Sequence, residues 1–311
     1  MLKAIKPALM RLKLYLRWVI IGVTLFFLGK TVKDNWREVA VIHINGVGWG
    51  MLALALFVTL LAHIWAAWVW SWILCWFKQN IPLSFAVRVY LKTNIAKYLP
   101  GNVWHFYARI FAMTEVGVPP GVATLSVLLE PLLMAVAALS LALAGIPGLL
   151  AIPGLLCASV ALLLIHPRIL NPALQLAAQA KGATSEVIRL ERYPLVLLLG
   201  EVGFLGLRGA GFLLTLAAIV SPETLHIKIL YKLPLLLSAF SFAWLLGLVV
   251  PGAPGGIGVF EATVTGILER DFGAAALLSA AAFYRLTSVL AEVMGALIGA
   301  KKLCCFIFKL K

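Results

Sequence analysis

Apolar runs of roughly 20 residues recur along the whole chain, and they constrain its fold more than any other feature. A helix rises about 1.5 Å per residue, so each run is long enough to cross a hydrocarbon layer about 30 Å thick. Only 12% of the 311 residues are charged, whereas a soluble domain carries about a quarter. A β-barrel would instead show weakly alternating segments of about ten residues. The sequence therefore predicts an all-α, polytopic membrane helix bundle formed by a single integral membrane domain over residues 1–311.

Hydropathy divides the chain into about eight transmembrane helices. The expected spans are 14–31, 49–77, 120–145, 148–165, 193–219, 229–250, 256–270 and 274–300. An even number of crossings places both termini on the same side of the membrane. Seventeen Lys and Arg residues lie in segments on that side and six in the opposite loops, which favours cytoplasmic termini. The net charge of +14 is thus chiefly a topology signal and an attraction to anionic lipid.

The segment from about 82 to 117 begins and ends on the expected cytoplasmic side, yet much of it is apolar and aromatic. Pro100 and Gly101 interrupt any helix there, because proline lacks a backbone donor and disfavours helical geometry in the residue before it. We expect a re-entrant hairpin with its tip at 100–102, since broken backbone at membrane depth needs cover from protein or a polar cavity. The alternative is an amphipathic helix pair on the inner surface, with Arg88 and Lys92 facing lipid headgroups.

A second interruption lies at about 251–260, where two prolines and four glycines separate apolar segments. Its backbone candidates are Pro254, Gly255, Gly256 and Gly258. Glycines let the backbone approach another group closely, and the helix that follows directs its positive end into the protein. Paired Gly/Pro interruptions in two parts of a membrane protein indicate a transport site. The alternative is a structural hinge or a tight packing turn.

Six charged residues fall inside the expected spans and away from their ends, where each costs about 2.5 to 3.5 kcal/mol. They are Glu130, Glu201, Glu261, Glu292, Arg208 and Arg285. A spacing of seven residues brings Glu201 and Arg208 to one helix face. The same spacing separates Arg285 from Glu292 on a helix of opposite direction. The two helices together predict a layer of carboxylates and a deeper layer of arginines.

Such layers suit a polar cavity in which guanidinium groups bind phosphate through several coplanar hydrogen bonds. The acids would then neutralise the arginines or bind a cationic headgroup. Asn102, His105 and Arg109 follow the first Pro-Gly break and are expected to complete the phosphate site. The alternative is that the Glu and Arg residues pair only to hold helices together.

Two segments resemble the signatures of the lysylphosphatidylglycerol synthase transmembrane-region family. They are Lys97 to Arg109, with its Tyr-Leu-Pro-Gly core, and Pro-Gly-Gly-Ile-Gly-Val-Phe-Glu-Ala from Pro254 to Ala262. The family includes the flippase domain of the bacterial multiple peptide resistance factor and stand-alone proteins associated with glycan or lipid pathways. The resemblance implies an inner-membrane lipid translocase with re-entrant elements and a central cavity. By matching motif, the site framework falls on Pro100, Gly101, Arg109, Pro254, Gly255, Gly256, Gly258 and Glu261.

We therefore expect a lipid flippase in the cytoplasmic (inner) membrane of a bacterium or archaeon. Its substrate would be a phosphate-containing lipid, either a phospholipid or a polyprenyl-phosphate-linked glycan. The chain ends about ten residues beyond its last expected span, so we expect no aminoacyl-transferase domain and no lysyl-lipid synthase activity.

We expect no enzyme activity, cofactor or metal site, because no DxD, HExxH or serine-nucleophile pattern occurs. The expected partners are anionic or phosphate-bearing membrane lipids, a second copy of the chain, and glycan- or lipid-biosynthesis enzymes. Nucleic acid is not among them, because the basic residues are dispersed along membrane-proximal loops. The alternatives are a membrane-embedded transferase acting on lipid-linked sugars and a non-transporting subunit of an envelope-assembly pathway.

Overall fold

The computed structural model describes residues 44–98, 103–145, 151–172, 190–220, 231–250, 256 and 258–301. These residues are predominantly helical, and no strand occurs among them, which confirms the all-α class. The helices are α1 (Gly46–Trp76), α2 (Leu83–Asn94), α3 (Trp104–Glu115), α4 (Pro120–Ala144), α5 (Ala151–Leu164), α6 (Leu195–Ile219), α7 (Leu233–Val249), α8 (Val259–Phe272) and α9 (Ala274–Lys301). A 3-10 turn, Ile95–Tyr98, continues α2.

Within this part of the chain, four helices are long and apolar enough to cross a membrane, namely α1, α4, α6 and α9. Helix α7 is a shorter apolar helix. The expected spans 148–165 and 256–270 correspond to α5 and α8, which have only 14 residues each. A straight crossing needs about 20 residues. The described helices are therefore compatible with a membrane protein, and they support four full-length crossings.

Several predicted positions lie outside the described residues. They are the first expected span, 14–31, and the break residues Pro100, Gly101, Asn102, Pro254 and Gly255.

Glycines on α6 let this helix and α1 approach each other closely. A Cβ atom added at Gly200 would lie 2.8 Å from Val69 Cγ2, and one added at Gly211 would lie 2.6 Å from Thr59 Oγ1. Later residues of α6 therefore meet earlier residues of α1, so the two helices are antiparallel. The Trp65 indole N–H donates to the Gly200 carbonyl oxygen at 2.8 Å and fastens the pair. Backbone contact of this kind is typical of helix association in membranes.

Helix α2 packs along the C-terminal part of α9. Gly299 lies against the backbone of Arg88 and Lys92, because an added Cβ would stand 2.9 Å from the Arg88 carbonyl oxygen. Farther along the chain, Lys97 Nζ reaches Glu292 Oε1 at 2.5 Å. As this segment advances from 88 to 97, its contacts on α9 move back from Gly299 to Glu292. The α2 segment therefore runs from the end of α9 towards its middle.

Helix α3 returns beside α2. Arg109 of α3 lies next to Asn94 at the end of α2, with Nη2 and Oδ1 3.5 Å apart. The same side chain reaches Glu130 in α4, where Nη1 donates to Oε2 at 2.6 Å. The two short helices thus form a pair whose polar end lies against α4 and α9.

The glycines that precede α8 adopt a conformation that favours glycine. Gly256 and Gly258 have φ values of 71° and 85°, in the left-handed region where a Cβ atom is disfavoured. Gly256 also packs on α7, since an added Cβ would lie 2.9 Å from the Cα of Gly247. The structure therefore gives both glycines a backbone role at the start of α8.

Replacing Gly299 tests the packing of α2 on α9. Gly299→Ala is expected to lower the thermal unfolding midpoint of the detergent-solubilised protein, because the new methyl group would collide with backbone atoms of α2. Overpacking of this kind costs about 1 to 3 kcal/mol. The matched control is Gly206→Ala in α6, whose methyl group would meet nothing within 4 Å. Equal midpoints for the two variants would contradict the close contact.

Candidate functional site

A cavity of about 520 Å³ lies inside the bundle, bounded by α1, α4, α6, α7, α8, α9 and the α2–α3 pair. This volume is typical of small-molecule sites. Its polar lining comprises His63, Tyr90, Asn94, Lys97, Tyr98, His105, Arg109, Glu130, Arg208, Tyr284, Arg285, Ser288 and Glu292. Its apolar wall includes Phe106, Met134, Phe204, Trp244, Leu248 and Phe260. The cavity therefore presents both charged groups and aromatic surface to a ligand.

Arg109 and Glu130 form a closed ion pair at one side of the cavity. The two side chains are each 2% exposed, and Nη1 and Oε2 lie 2.6 Å apart. The Tyr90 hydroxyl donates to the other Glu130 oxygen at 2.6 Å. The guanidinium carbon also lies 3.6 Å from the centroid of the Tyr90 ring. Both charges are thus compensated inside the protein, as a buried pair requires.

Glu292 joins α9 to the turn after α2. Its Oε1 accepts from Lys97 Nζ at 2.5 Å and lies 3.4 Å from His63 Nε2. The carboxylate is almost fully buried, whereas the Lys97 side chain is 22% exposed. Lys97 belongs to the segment 82–117, and its ammonium group lines the cavity.

Glu261 links the start of α8 to a cation of the cavity. Its Oε2 accepts from the backbone N–H of Gly258 at 2.7 Å and so caps α8. Its Oε1 accepts from Arg285 Nε at 2.7 Å. One carboxylate therefore satisfies a helix terminus and also neutralises Arg285.

Arg208 differs from the other cations that line the cavity. It is 8% exposed, and Nη1 donates to Ser288 Oγ at 3.1 Å. Its guanidinium lies over the Tyr284 ring, 5.0 Å from the centroid. Among the described residues, no carboxylate forms an ion pair with it, and its buried Nε has no hydrogen-bond partner. The structure thus places a buried positive charge against the cavity without an anion from the described chain.

Glu201 shows the opposite imbalance. It is 0% exposed, and neither carboxylate oxygen finds a hydrogen-bond donor within the described residues. It does not line the cavity. An ionised carboxylate without donors is costly in such surroundings. The seven-residue spacing from Arg208 therefore does not produce an ion pair.

The predicted site residues fall into three groups. Seven line the cavity, namely Arg109, Arg208, Arg285, Glu130, Glu292, His105 and Gly256. Glu261 and Gly258 are outside the lining, although Glu261 binds Arg285, which lines the cavity, and also accepts from Gly258. Glu201 is buried and does not line the cavity. The third group, Pro100, Gly101, Asn102, Pro254 and Gly255, lies outside the described residues.

Sequence reasoning missed several residues of the lining. They are His63, Tyr90, Asn94, Lys97, Tyr98, Tyr284 and Ser288. Helical spacing could have found two of them, because Tyr284, Ser288 and Glu292 repeat every four residues on one face of α9. Lys97 lies three residues before Pro100, so a hairpin tip at that proline would have brought it into the bundle.

No protein-family model and no curated protein matches this chain.

Two neighbouring glutamates offer a test of the buried ion pair. Glu130→Gln is expected to lower the free energy of unfolding by about 3 to 5 kcal/mol, because it leaves Arg109 buried without its anion. Denaturant unfolding in detergent micelles measures the change. Glu201→Gln is the matched control, since Glu201 has no hydrogen bond to lose within the described chain. A loss as large in the control would contradict the assigned difference between the two carboxyl groups.

Proposed function

We propose that this protein is a lipid flippase that holds a phosphate-bearing headgroup in the cavity while the hydrocarbon chains stay in the bilayer. The observation that carries the proposal is Arg208, whose buried guanidinium faces the cavity without a carboxylate from the described chain. An uncompensated cation is costly inside an apolar bundle. A phosphate group would supply both the missing negative charge and oxygen acceptors for guanidinium N–H groups.

The cavity lining supports an amphipathic ligand. Lys97 and Arg285 contribute charged groups to the lining, and Phe204 and Trp244 contribute aromatic surface. The Phe204 and Trp244 rings meet edge to face, with their centroids 5.8 Å apart. A lipid combines the same two kinds of surface, because a charged headgroup adjoins glycerol or isoprenoid carbon.

In this proposal the chain crosses the cytoplasmic membrane about eight times, with both termini cytoplasmic. The segment 82–117 enters from the cytoplasmic side as a re-entrant hairpin. The support for the hairpin is the order of contacts, which run from Gly299 to Glu292 of α9 as the chain advances from 88 to 97. An amphipathic helix pair lying on the inner membrane surface would not place successive residues at successive levels of α9.

Membership of the lysylphosphatidylglycerol synthase transmembrane-region family is part of the proposal. It rests on the two resembling segments, Lys97 to Arg109 and Pro254 to Ala262. Arg109 and Lys97 of the first segment line the cavity, and Glu261 of the second holds Arg285 there. The resemblance and the cavity therefore point to the same part of the molecule.

A non-transporting subunit of an envelope pathway is the second candidate. The observation in its favour is that three cavity cations, Lys97, Arg109 and Arg285, are already paired with glutamates. Such pairs would hold a scaffold together without any ligand. This candidate gives no account of Arg208, which forms no ion pair with a carboxylate among the described residues.

Reconstituted transport tests the flippase proposal. Arg208→Ala is expected to reduce the rate at which proteoliposomes translocate fluorescent phosphatidylglycerol by about tenfold or more, since a charge-assisted phosphate contact is lost. The thermal midpoint of the variant would show that it still folds. The control is Lys78→Ala, which removes an equal charge from an exposed pair with Glu191.

The hydrogen bond from Lys78 lowers the pKa of the Glu191 carboxyl, but an exposed pair contributes little to stability. The control should therefore fold and transport like the wild-type protein. Undiminished transport by a folded Arg208→Ala protein would contradict the phosphate role. Absence of transport by the wild-type protein would favour the non-transporting subunit.

A further inference from the structure

Glu201 is a buried carboxyl group that the proposed lipid site does not use. It does not line the cavity, it is fully buried, and neither oxygen has a hydrogen-bond partner within the described chain. The charged groups close enough to act on it are Glu130 of α4 and Arg109 of α3. The Tyr90 hydroxyl of α2 also lies within reach of its charge. We call these four residues the Glu201 cluster.

The Glu201 cluster contains two carboxyl groups but only one guanidinium. Glu130 binds Arg109 directly, with Oε2 and Nη1 2.6 Å apart, so these two charges compensate each other. The α1 side chains that pack on the adjoining turns of α6 are uncharged, namely Trp65, Val69 and Trp72. An ionised Glu201 would therefore add an uncompensated negative charge beside a second carboxylate in an apolar interior, which is strongly unfavourable.

Other helices that pack against α6 offer Glu201 no counter-charge in the described chain. These helices are α1, α7 and α9. Helix α7 has no titratable side chain over Leu233–Val249. The cavity-lining titratable groups of α1 and α9 lie in other contacts, with Lys97, Glu261 or Arg208, namely His63, Tyr284, Arg285 and Glu292. A proton is therefore the cation best suited to Glu201.

From this arrangement we infer that Glu201 is a proton-binding site through which a proton gradient drives translocation. Resting on the proposed function, this assignment adds the energy source of transport. A bound proton makes Glu201 neutral and leaves the cluster without net charge. Loss of the proton places two carboxylates beside the single guanidinium of Arg109. The cluster thus has two charge states that differ by one proton.

Glu130 connects this proton site with the cavity. Glu130, Arg109 and Tyr90 all line the cavity, whereas Glu201 does not. The Tyr90 hydroxyl donates to Glu130 Oε1 at 2.6 Å, so a carboxyl and a hydroxyl that can exchange protons adjoin each other there. A proton from the cavity reaches Glu201 through these two groups.

Arg109 connects the charge state of the cluster to the α2–α3 pair. Its Nε lies 3.4 Å from Thr93 Oγ1, and its Nη2 lies 3.5 Å from Asn94 Oδ1, at the end of α2. When Glu201 loses its proton, the second carboxylate attracts Arg109 away from Glu130. Because Arg109 belongs to α3 and contacts α2, the pair shifts with it. Proton binding therefore biases two positions of a segment that lines the cavity.

Infrared spectroscopy tests the proton site directly. The carbonyl stretch of a protonated carboxyl group is separate from the bands of a carboxylate and shifts in heavy water. The full-length protein in detergent at about pH 7 is expected to show this band, although an ordinary glutamate is ionised there. Glu201→Gln is expected to abolish the band. The matched control is Glu191→Gln, which changes an exposed carboxylate paired with Lys78 and is expected to keep it.

The distribution of lipid under a pH gradient tests the coupling. Proteoliposomes with fluorescent phosphatidylglycerol equally labelled in both leaflets are given a difference of about one pH unit across the membrane. One proton moved per lipid across such a difference supports up to about a tenfold excess of label in one leaflet. This ratio does not depend on how the protein is oriented. The wild-type protein and Glu191→Gln are expected to develop the excess, whereas Glu201→Gln is expected to leave the leaflets equal.

The outcomes separate this inference from the proposed function. Wild-type protein that exchanges label between leaflets but leaves them equal under the gradient would overturn the coupling and leave the flippase proposal standing. Wild-type protein that exchanges no label would overturn both. A full excess with Glu201→Gln, or an infrared band that persists in it, would overturn the assignment to Glu201. If Glu201→Gln does not fold, as judged by its thermal midpoint, Glu201→Ala carries the same expectations.

Discussion

The compensation of charge inside an apolar bundle is the constraint on which the rest of this structure depends. Each buried ion pair connects two different elements, because Arg109 fastens α3 to α4 and Lys97 fastens the turn after α2 to α9. Glu261 likewise fastens the start of α8 to Arg285 in α9. The short, interrupted elements are thus tied by charge to long helices. Removing one partner of such a pair lowers the free energy of unfolding far more than removing one partner of a surface pair.

Close backbone packing makes this arrangement possible. Gly200 and Gly211 bring α6 against α1, and Gly299 brings α9 against α2. With little hydrophobic drive between helices in lipid, such contacts supply much of the attraction. They also determine that Lys97 lies beside Glu292, because the contact of α2 with α9 at Gly299 sets which later residues of the two elements are adjacent.

The sequence predicted the helical class well, since long apolar runs leave few other structures possible in lipid. The expected span 193–219, for example, differs by two residues at its start from α6, Leu195–Ile219. The partners of the buried charged side chains were much harder to predict. Helical spacing placed Glu201 and Arg208 on one face, yet Glu201 finds no donor in the described chain and Arg208 lies beside Ser288. Spacing within a helix defines a face, whereas the partner comes from whichever helix packs there.

The two oxygens of Glu261 serve different parts of the molecule, one capping α8 and the other holding Arg285. A ligand that drew Arg285 away would leave one oxygen free while the other still held Gly258. The side chain could then rotate only by loosening the first turn of α8. Glu261 therefore connects a cation of the cavity to the backbone of Gly258 through a single carboxylate, without direct contact between the two.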